Sequence, residues 1–429
     1  GFVPFCALSA AKGMVINMNE YAKLILELLS PQLRGRKPHV NIPDSISREK
    51  LYHDSVAHQV QFLICDALLK MPSQLEADFA DALNEILMTA VVRETQREHE
   101  ISHVINALAA ENIDVVAFKG AYLKFLYPLS QYRIMGDVDL FLTDISQIGN
   151  ACALFERLGY TWSKEEGETY CFRRGDDIPI DLHTYVKFVE EGHFFDEKNQ
   201  RILGEVFRLS ECITEDVDGC RMKLFSHTDH FAHLFSHMAC HITLGGFGFR
   251  QLCDVVVYVL TRGDRIDYSR FWHICKLTGY TTFAANILYV CRDYLALDTD
   301  EIFGALNSSP PNFSEALIDD MYENGVFGYK SREKLLINKA AGGAVRANKE
   351  KGSRFGAVSA MLHAAFPLYI KQEKYAYAMH HRILLPVAWA HRLIDFVFGR
   401  MRPSDFKTLI EQKNSVDKRL KLLADLELY

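Results

Sequence analysis

The sequence predicts an α+β fold in which a small mixed sheet forms a compact core, flanked by N-terminal and C-terminal helical regions. Three observations predict it. Before about residue 110 and again from His227 onward, apolar positions recur at three- and four-residue spacing, the period of an amphipathic helix. Between these regions lie short runs rich in β-branched and aromatic residues, bounded by Gly, Pro and Asp, as strands are. No internal repeat or long low-complexity segment points to a solenoid or an array. The expected division is a helical region at 14–110, an α+β core at 111–225 and a second helical region at 226–429.

Taken in order, residues 19–29 form an amphipathic pattern, and "SREKLYHDSVAHQVQFLICDALLKM" predicts one long helix with Ser47 as N-cap. A third helical pattern runs over about 74–110 with no Pro or Gly to interrupt it. The texture then changes: "DVVAF" predicts a strand, Gly120 opens helical spacing through Tyr127, Pro128 ends it, and "DVDLFL" predicts a second strand. "SQIGNACALFERLGY" predicts a helix capped by Ser146 and stopped by Gly159. "ETYCFRR" and "IPIDLHTYV" predict paired strands joined by a Gly-Asp-Asp turn. From His227 the helical pattern is broken at "LGGFG", around "SSPPN" and in "KAAGGAVRANKEKGSRFG", a Gly-rich basic stretch expected to be a mobile loop.

Composition excludes some classes. No apolar run is long enough to span a bilayer, so no membrane partner is expected. A formal charge of -7 disfavours nucleic acid as a partner. The 10 cysteines contain no Cys-x-x-Cys pair, which favours a reducing, cytoplasmic setting. The opening "FVPFCALSAA" lacks the preceding basic residue of a secretory signal, and residues 1–13 are expected to be an extension outside the fold.

The chemistry concentrates in "FKGAYLKFLYPLSQYRIMGDVDLFL". In a strand, residues two apart share a face, so Asp137 and Asp139 project together while Val138 and Leu140 face the other way. Like charges that close resist burial unless a cation relieves them. Mg²⁺, a hard cation that takes oxygen ligands and substrate phosphates, is the natural partner. In "IPIDLHTYV" the alternation of Ile178, Ile180 and Leu182 leaves Asp181 and His183 on the opposite face. If the two strands are neighbours, three aspartates converge in a pattern suited to two metal ions at a phosphoryl transfer, with Asp181 as ligand or base. Gly120, at a strand-to-helix turn, lets backbone approach an anion; Lys119 adds charge, and the planar fork of Arg133 can clamp a phosphate.

Together "KGAYLKFLYP", "YRIMGDVDLFL" and "IDLH" resemble the uncharacterised nucleotidyltransferase family of the DNA polymerase β-like superfamily, with fainter similarity in "HLFSHMACHITLGGFGFRQLCDVV" and "AAFPLYIKQEKYAYAMHHRILLPVAWAHR". The resemblance implies a nucleotidyltransferase-like core in which Asp137 and Asp139 ligate Mg²⁺, Asp181 completes the metal site or acts as base, and Gly120 approaches the triphosphate of ATP or another nucleoside triphosphate. Lys119, Arg133 and His183 complete the expected nucleotide site. Ala121 stands where the wider superfamily commonly has a serine, and Lys119 is the expected substitute for the missing hydroxyl. The implied reaction moves a nucleoside monophosphate to a hydroxyl of an acceptor: small molecule, protein or RNA. Two competing readings are a nucleotide-binding protein without chemistry and a helical interaction scaffold.

Five histidines, His227, His230, His233, His237 and His241, crowd one predicted helix. Without His-Glu-x-x-His, zinc is the weaker reading. The stripe either faces the cleft together with Arg250 and Asp254 or packs between helices.

Overall fold

The computed structural model describes residues 18–165, 169–184, 211–306, 308–326, 337–338, 341, 377–378, 381–391 and 413–428. Apart from Ala341, the basic Gly-rich stretch at 339–356 lies outside the described residues, as do the extension 1–13 and most of the fainter C-terminal similarity.

The chain opens with α1 (Met18–Gln32). Ser47 does cap the next helix, accepting from the Lys50 amide, but the single helix expected there is two: α2 (Arg48–Ala57) and α3 (Gln61–Leu69). The break falls at Gln59, whose φ is 56°. Tertiary contacts override the periodicity: the His58 ring stacks on Phe249 with 4.1 Å between centroids, and its carbonyl accepts from the Arg250 amide at 3.3 Å. The uninterrupted pattern that follows forms α4 (Ala77–Ala110).

The core contains β1 (Val115–Ala117), α5 (Gly120–Leu123), β2 (Val138–Leu142), α6 (Ile148–Arg157), β3 (Thr161–Glu165), β4 (Thr169–Arg173) and β5 (Ile180–His183). The five strands form one mixed sheet in the order β1-β2-β5-β4-β3. Only the central β2–β5 pair is parallel, and the remaining neighbours are antiparallel. Ser146 does not cap α6: Asp144 caps the short 3-10 turn Ile145–Gln147 that leads into it, its carboxylate accepting from the Ser146 amide at 2.9 Å, and Gln147 at the N-cap of α6 makes no side-chain cap bond. Asp precedes the turn here and reaches forward two residues, which a serine at 146 has no need to do.

One face of the sheet is apolar. Leu140, Ile180 and Leu182 are fully buried, and Phe172 stacks on Phe155 of α6 at 3.9 Å. Each such side chain contributes about 1.5–3 kcal/mol through burial. The other face carries Asp139, Phe141, Asp181 and His183, and is covered by α7 (His227–Leu244).

A separate hairpin, β6 (Ile213–Val217) and β7 (Cys220–Leu224), precedes α7. Neither it nor β3 is among the expected strands, although Asp218-Gly219, with φ of 51° and 78°, is the dipeptide such a tight turn favours. Helices α8 (Phe249–Arg262), α9 (Tyr268–Thr278), α10 (Thr281–Leu295), α11 (Asp300–Gly304), α12 (Ser314–Asn324) and α13 (Lys413–Asp425) follow. A continuous cluster of buried apolar residues runs from Tyr21 to Leu428. Among the described residues no helix is long and apolar enough to cross a membrane.

Candidate active site

Between the polar face of the sheet and helices α7 and α8 lies a cavity of about 260 Å³. Asp137, Asp139, Asp181, His183, Lys119, Gly120 and Arg133 all line it, so the seven residues of the expected metal and nucleotide site reach one place. The register explains the carboxylates: Asp139 pairs directly with Asp181 across the parallel strands, and neighbours in register share a face. Asp137 immediately precedes β2 rather than lying within it.

The three carboxylates have different surroundings. Asp139 is buried, and its Oδ1 accepts from Lys119 Nζ and contacts His183 Nε2, each at 2.8 Å. Because a carboxylate only accepts, the proton belongs on Nε2, leaving Nδ1 to accept from Thr169 Oγ1 at 3.1 Å. Burial works against the charge of Asp139, but Lys119 and His183 outweigh it and hold its pKa well below the ordinary carboxylate range. Asp137 is open at the cavity mouth yet ringed by protein that thins its hydration. That loss of water, together with the charge of Asp139, raises its pKa to about 6. Asp181 keeps Oδ1 buried without a hydrogen-bond partner among the described residues.

Lys119 is strained. Its φ of 49° and ψ of -128° belong to a region that L side chains rarely adopt, and such strain persists where surrounding contacts over-determine it. Here they do: its amide donates to His230 Nε2 at 3.2 Å, its carbonyl accepts the Leu123 amide at 2.8 Å, and its ammonium holds Asp139. Gly120 then opens α5 beneath Arg133, where a Cβ would stand 2.7 Å from Arg133 Nη1. Fully buried Lys124, paired with Glu98 at 3.0 Å and Glu94 at 3.4 Å on α4, anchors the far end of this turn.

The fork of Arg133 is already filled. Nε and Nη2 donate to Asp254 Oδ1 and Oδ2 at 2.8 and 3.0 Å, and Tyr127 adds a third donor at 2.8 Å. Only Nη1, packed on Gly120, is left toward the cavity, so a bidentate clamp on phosphate requires breaking a buried ion pair.

The histidine stripe divides its work. His237 and His241 line the cavity with their Nε2 atoms 3.0 Å apart. His227 contacts Tyr258 and Glu215, and His230 packs against Tyr122 and Tyr258. Burial lowers the pKa of each of these histidines, to about 3 for His230 and about 4 for His241. Sequence reasoning placed Arg250 and Asp254 beside the stripe but missed Gln251, Tyr127 and Lys124. The i, i+4 spacing of Arg250 and Asp254 on an otherwise apolar helix is the signal that places them.

Among the described residues no group of three His, Cys, Asp or Glu side chains stands ready as a metal cage. The donor chemistry still suits a hard cation: the acids are oxygen donors, and among the described residues one oxygen of Asp181 is unpartnered and Asp137 forms no ion pair, although Lys119 and Arg250 act on it from a distance. Lys119 supplies at Asp139 the positive charge that an ion would bring.

No curated protein matches the chain. Among solved structures, the chain is similar to the antibiotic-resistance factor ANT(2'')-Ia, at 14% identity and a TM-score of 0.31 over 42% of this chain and 90% of that one. It is similar also to an antigenic nucleotidyltransferase-like protein from Paracoccidioides brasiliensis, at 14% identity and a TM-score of 0.31 over 48% of this chain and 96% of that one. Likenesses this remote say nothing about substrate. The family match is of a different order: it takes in residues 44–296, more than half of the chain and the whole of the cavity, and the protein belongs to the uncharacterised nucleotidyltransferase family.

Proposed function

We propose that the protein transfers a nucleoside monophosphate from a nucleoside triphosphate to a hydroxyl of an acceptor, using Mg²⁺ held by Asp137, Asp139 and Asp181. The observation that carries this reading is the in-register pair Asp139–Asp181, with Asp137 beside it, at one wall of a cavity that also presents Lys119 and the Gly120 turn. A scaffold or a lone turn motif gives no reason for a buried, unpartnered carboxylate oxygen at that position.

In this reading the α+β core at 111–225 carries the chemistry, and the helical regions at 14–110 and 226–429 shape the acceptor side. Bound Mg²⁺ would draw charge from the phosphate oxygens. Asp181, whose Oδ1 has no partner among the described residues, takes the proton of the attacking hydroxyl or completes the metal site. His183 orients Asp139 through Nε2 and is itself steered by Thr169. Lys119 offsets the charge of Asp139, and its ammonium lies beside the carboxylates where it would meet the phosphates of a bound nucleotide. Its strained backbone and the side-chain-free Gly120 bring main chain close to where a triphosphate would lie.

Isothermal calorimetry of the four nucleoside triphosphates, with and without Mg²⁺, tests this on the wild type and on Asp137→Asn. Binding that depends on Mg²⁺ and is lost in the variant is expected, and would name the preferred base. Binding that is indifferent to both Mg²⁺ and the substitution would remove the metal assignment.

A further inference from the structure

The cavity holds three cations, and two of them are matched to carboxylates: Lys119 to Asp139, and Arg133 to Asp254. The third, Arg250, forms no ion pair among the described residues. Among the described residues its side chain makes one hydrogen bond, from Nη1 to the Ile134 carbonyl at 2.9 Å, and its Nε is buried with no partner. Leaving a guanidinium N–H buried and unsatisfied is unfavourable, and a charge in such a position is ordinarily paired. Burial, and after it the neighbouring Arg133, lower the pKa of Arg250, while the charges of Asp254 and Asp137 work against the shift without forming an ion pair with it among the described residues.

The arginine is held in place rather than loose. It is the second residue of α8, and its amide donates to the His58 carbonyl exposed by the break between α2 and α3. The Gly248 amide is likewise taken, by Gln251 Oε1 at 3.1 Å. At the start of α8 the amides of Gly248 and Arg250 are therefore already taken, and it is the Arg250 side chain that faces the cavity. On the wall beside it stand His237 and His241, which burial keeps neutral and able to share hydrogen bonds.

We propose that Arg250, flanked by His237 and His241, forms an anion subsite for a phosphate-class group, facing the carboxylate wall across the same cavity. An arginine with Nε and Nη2 uncommitted offers the two-pronged donor edge that matches a phosphate or carboxylate. The occupant is either the terminal phosphates of the triphosphate donor or an anionic group on the acceptor. This deepens the proposed nucleotidyl transfer and rests on it for the identity of the occupant, while the anion subsite itself is independent of the metal.

The test is metal-free calorimetry with inorganic pyrophosphate and orthophosphate on the wild type, Arg250→Met, Arg250→Lys and Asp137→Asn, followed by Mg²⁺-loaded titration of a nucleoside triphosphate and its monophosphate. Wild type binds pyrophosphate, Arg250→Met weakens it about 10- to 100-fold, as loss of a charge-assisted hydrogen-bonded contact does, and Arg250→Lys recovers part. A parallel loss for the triphosphate but not the monophosphate assigns the subsite to the donor's terminal phosphates. Loss for orthophosphate with triphosphate affinity unchanged assigns it to an acceptor anion. Asp137→Asn retains metal-free pyrophosphate binding, so failure of the metal reading and failure of the subsite are told apart. No anion binding by wild type, or equal binding by Arg250→Met with an unchanged melting curve, overturns the proposal. If Arg250→Met does not fold, wild-type and Arg250→Lys affinities for pyrophosphate decide, since an arginine-built subsite requires the lysine variant to be the weaker.

Discussion

Replacing Asp254 with Asn keeps the shape of the side chain but removes one negative charge from a buried cluster of three hydrogen bonds. Arg133 and Asp254 leave only 4% and 5% of their side chains exposed. Arg133 donates to both carboxylate oxygens at 2.8 and 3.0 Å, and Tyr127 donates to Oδ1 at 2.8 Å. The same carboxylate also offsets Arg250, which Arg133 repels. Breaking one partner of such a pair costs about 3–5 kcal/mol, because the remaining charge stays buried and uncompensated. With two guanidiniums left behind, the upper end is expected. At ~2–4 °C per kcal/mol for a folding unit of this order, the melting temperature falls by roughly 6–20 °C. Urea unfolding and thermal melts followed by circular dichroism measure it. The double variant Arg133→Met/Asp254→Leu should recover at least half of the loss, since apolar replacement of a buried pair is often nearly neutral. A melt of Asp254→Asn within about 2 °C of wild type, or a double variant that loses the sum of the two single changes, would refute the pairing argument.

Two further outcomes follow from the same geometry. Gly120→Ala places a methyl 2.7 Å from Arg133 Nη1 and 3.1 Å from Met135, and Arg133 cannot yield while Asp254 holds it, so a loss of about 1–3 kcal/mol in urea unfolding is expected; unchanged stability would mean that the turn is looser than it stands. Acid should destabilise the fold through the buried histidines. With folded pKa values of about 3 for His230 and about 4 for His241, and His233 and His237 also well below normal, the unfolded chain takes up protons first as pH falls through about 6.5. The contribution is whole above that pH and diminishes below it, by about 1.4 kcal/mol per histidine at pH 5.5. Asp137, with its pKa raised to about 6, works in the opposite direction, but it is one group against four. Equal urea midpoints at pH 7.5 and pH 5.5 would contradict the histidine argument.

What was legible in the chain was local. The uninterrupted pattern of α4, the Ser47 cap, the strands carrying Asp139 and Asp181, and the stop at Gly159 all follow from period, propensity and turn chemistry acting within a few residues. The alternation of β5 placed Asp181 and His183 opposite its apolar face before any pairing was known. Less visible was whatever one part of the chain imposes on another. The expected helix after Ser47 is broken because the His58 carbonyl and ring meet α8, nearly two hundred residues downstream. The hairpin β6–β7 had a local signal in Asp218-Gly219, and β3 is defined by its partner β4.

The sequence by itself determined the candidate chemistry: that Asp139 and Asp181 each stand opposite the apolar face of a strand, where a glycine opens a helix beside a lysine, and that five histidines and Arg250 lie on helical stretches of suitable period. Only the tertiary structure decided how those groups are spent. It set Asp139 against Asp181 by strand register, gave Arg133 to Asp254, tied Lys119 to Asp139 on a strained backbone, and left Asp181 Oδ1 and Arg250 Nε without partners among the described residues. Periodicity reports the face a residue occupies, because that depends on the geometry of its own element. The partner, the dielectric surroundings and the charge left uncompensated depend on elements distant in sequence, and those are what distinguish a structural ion pair from a group held ready for a ligand.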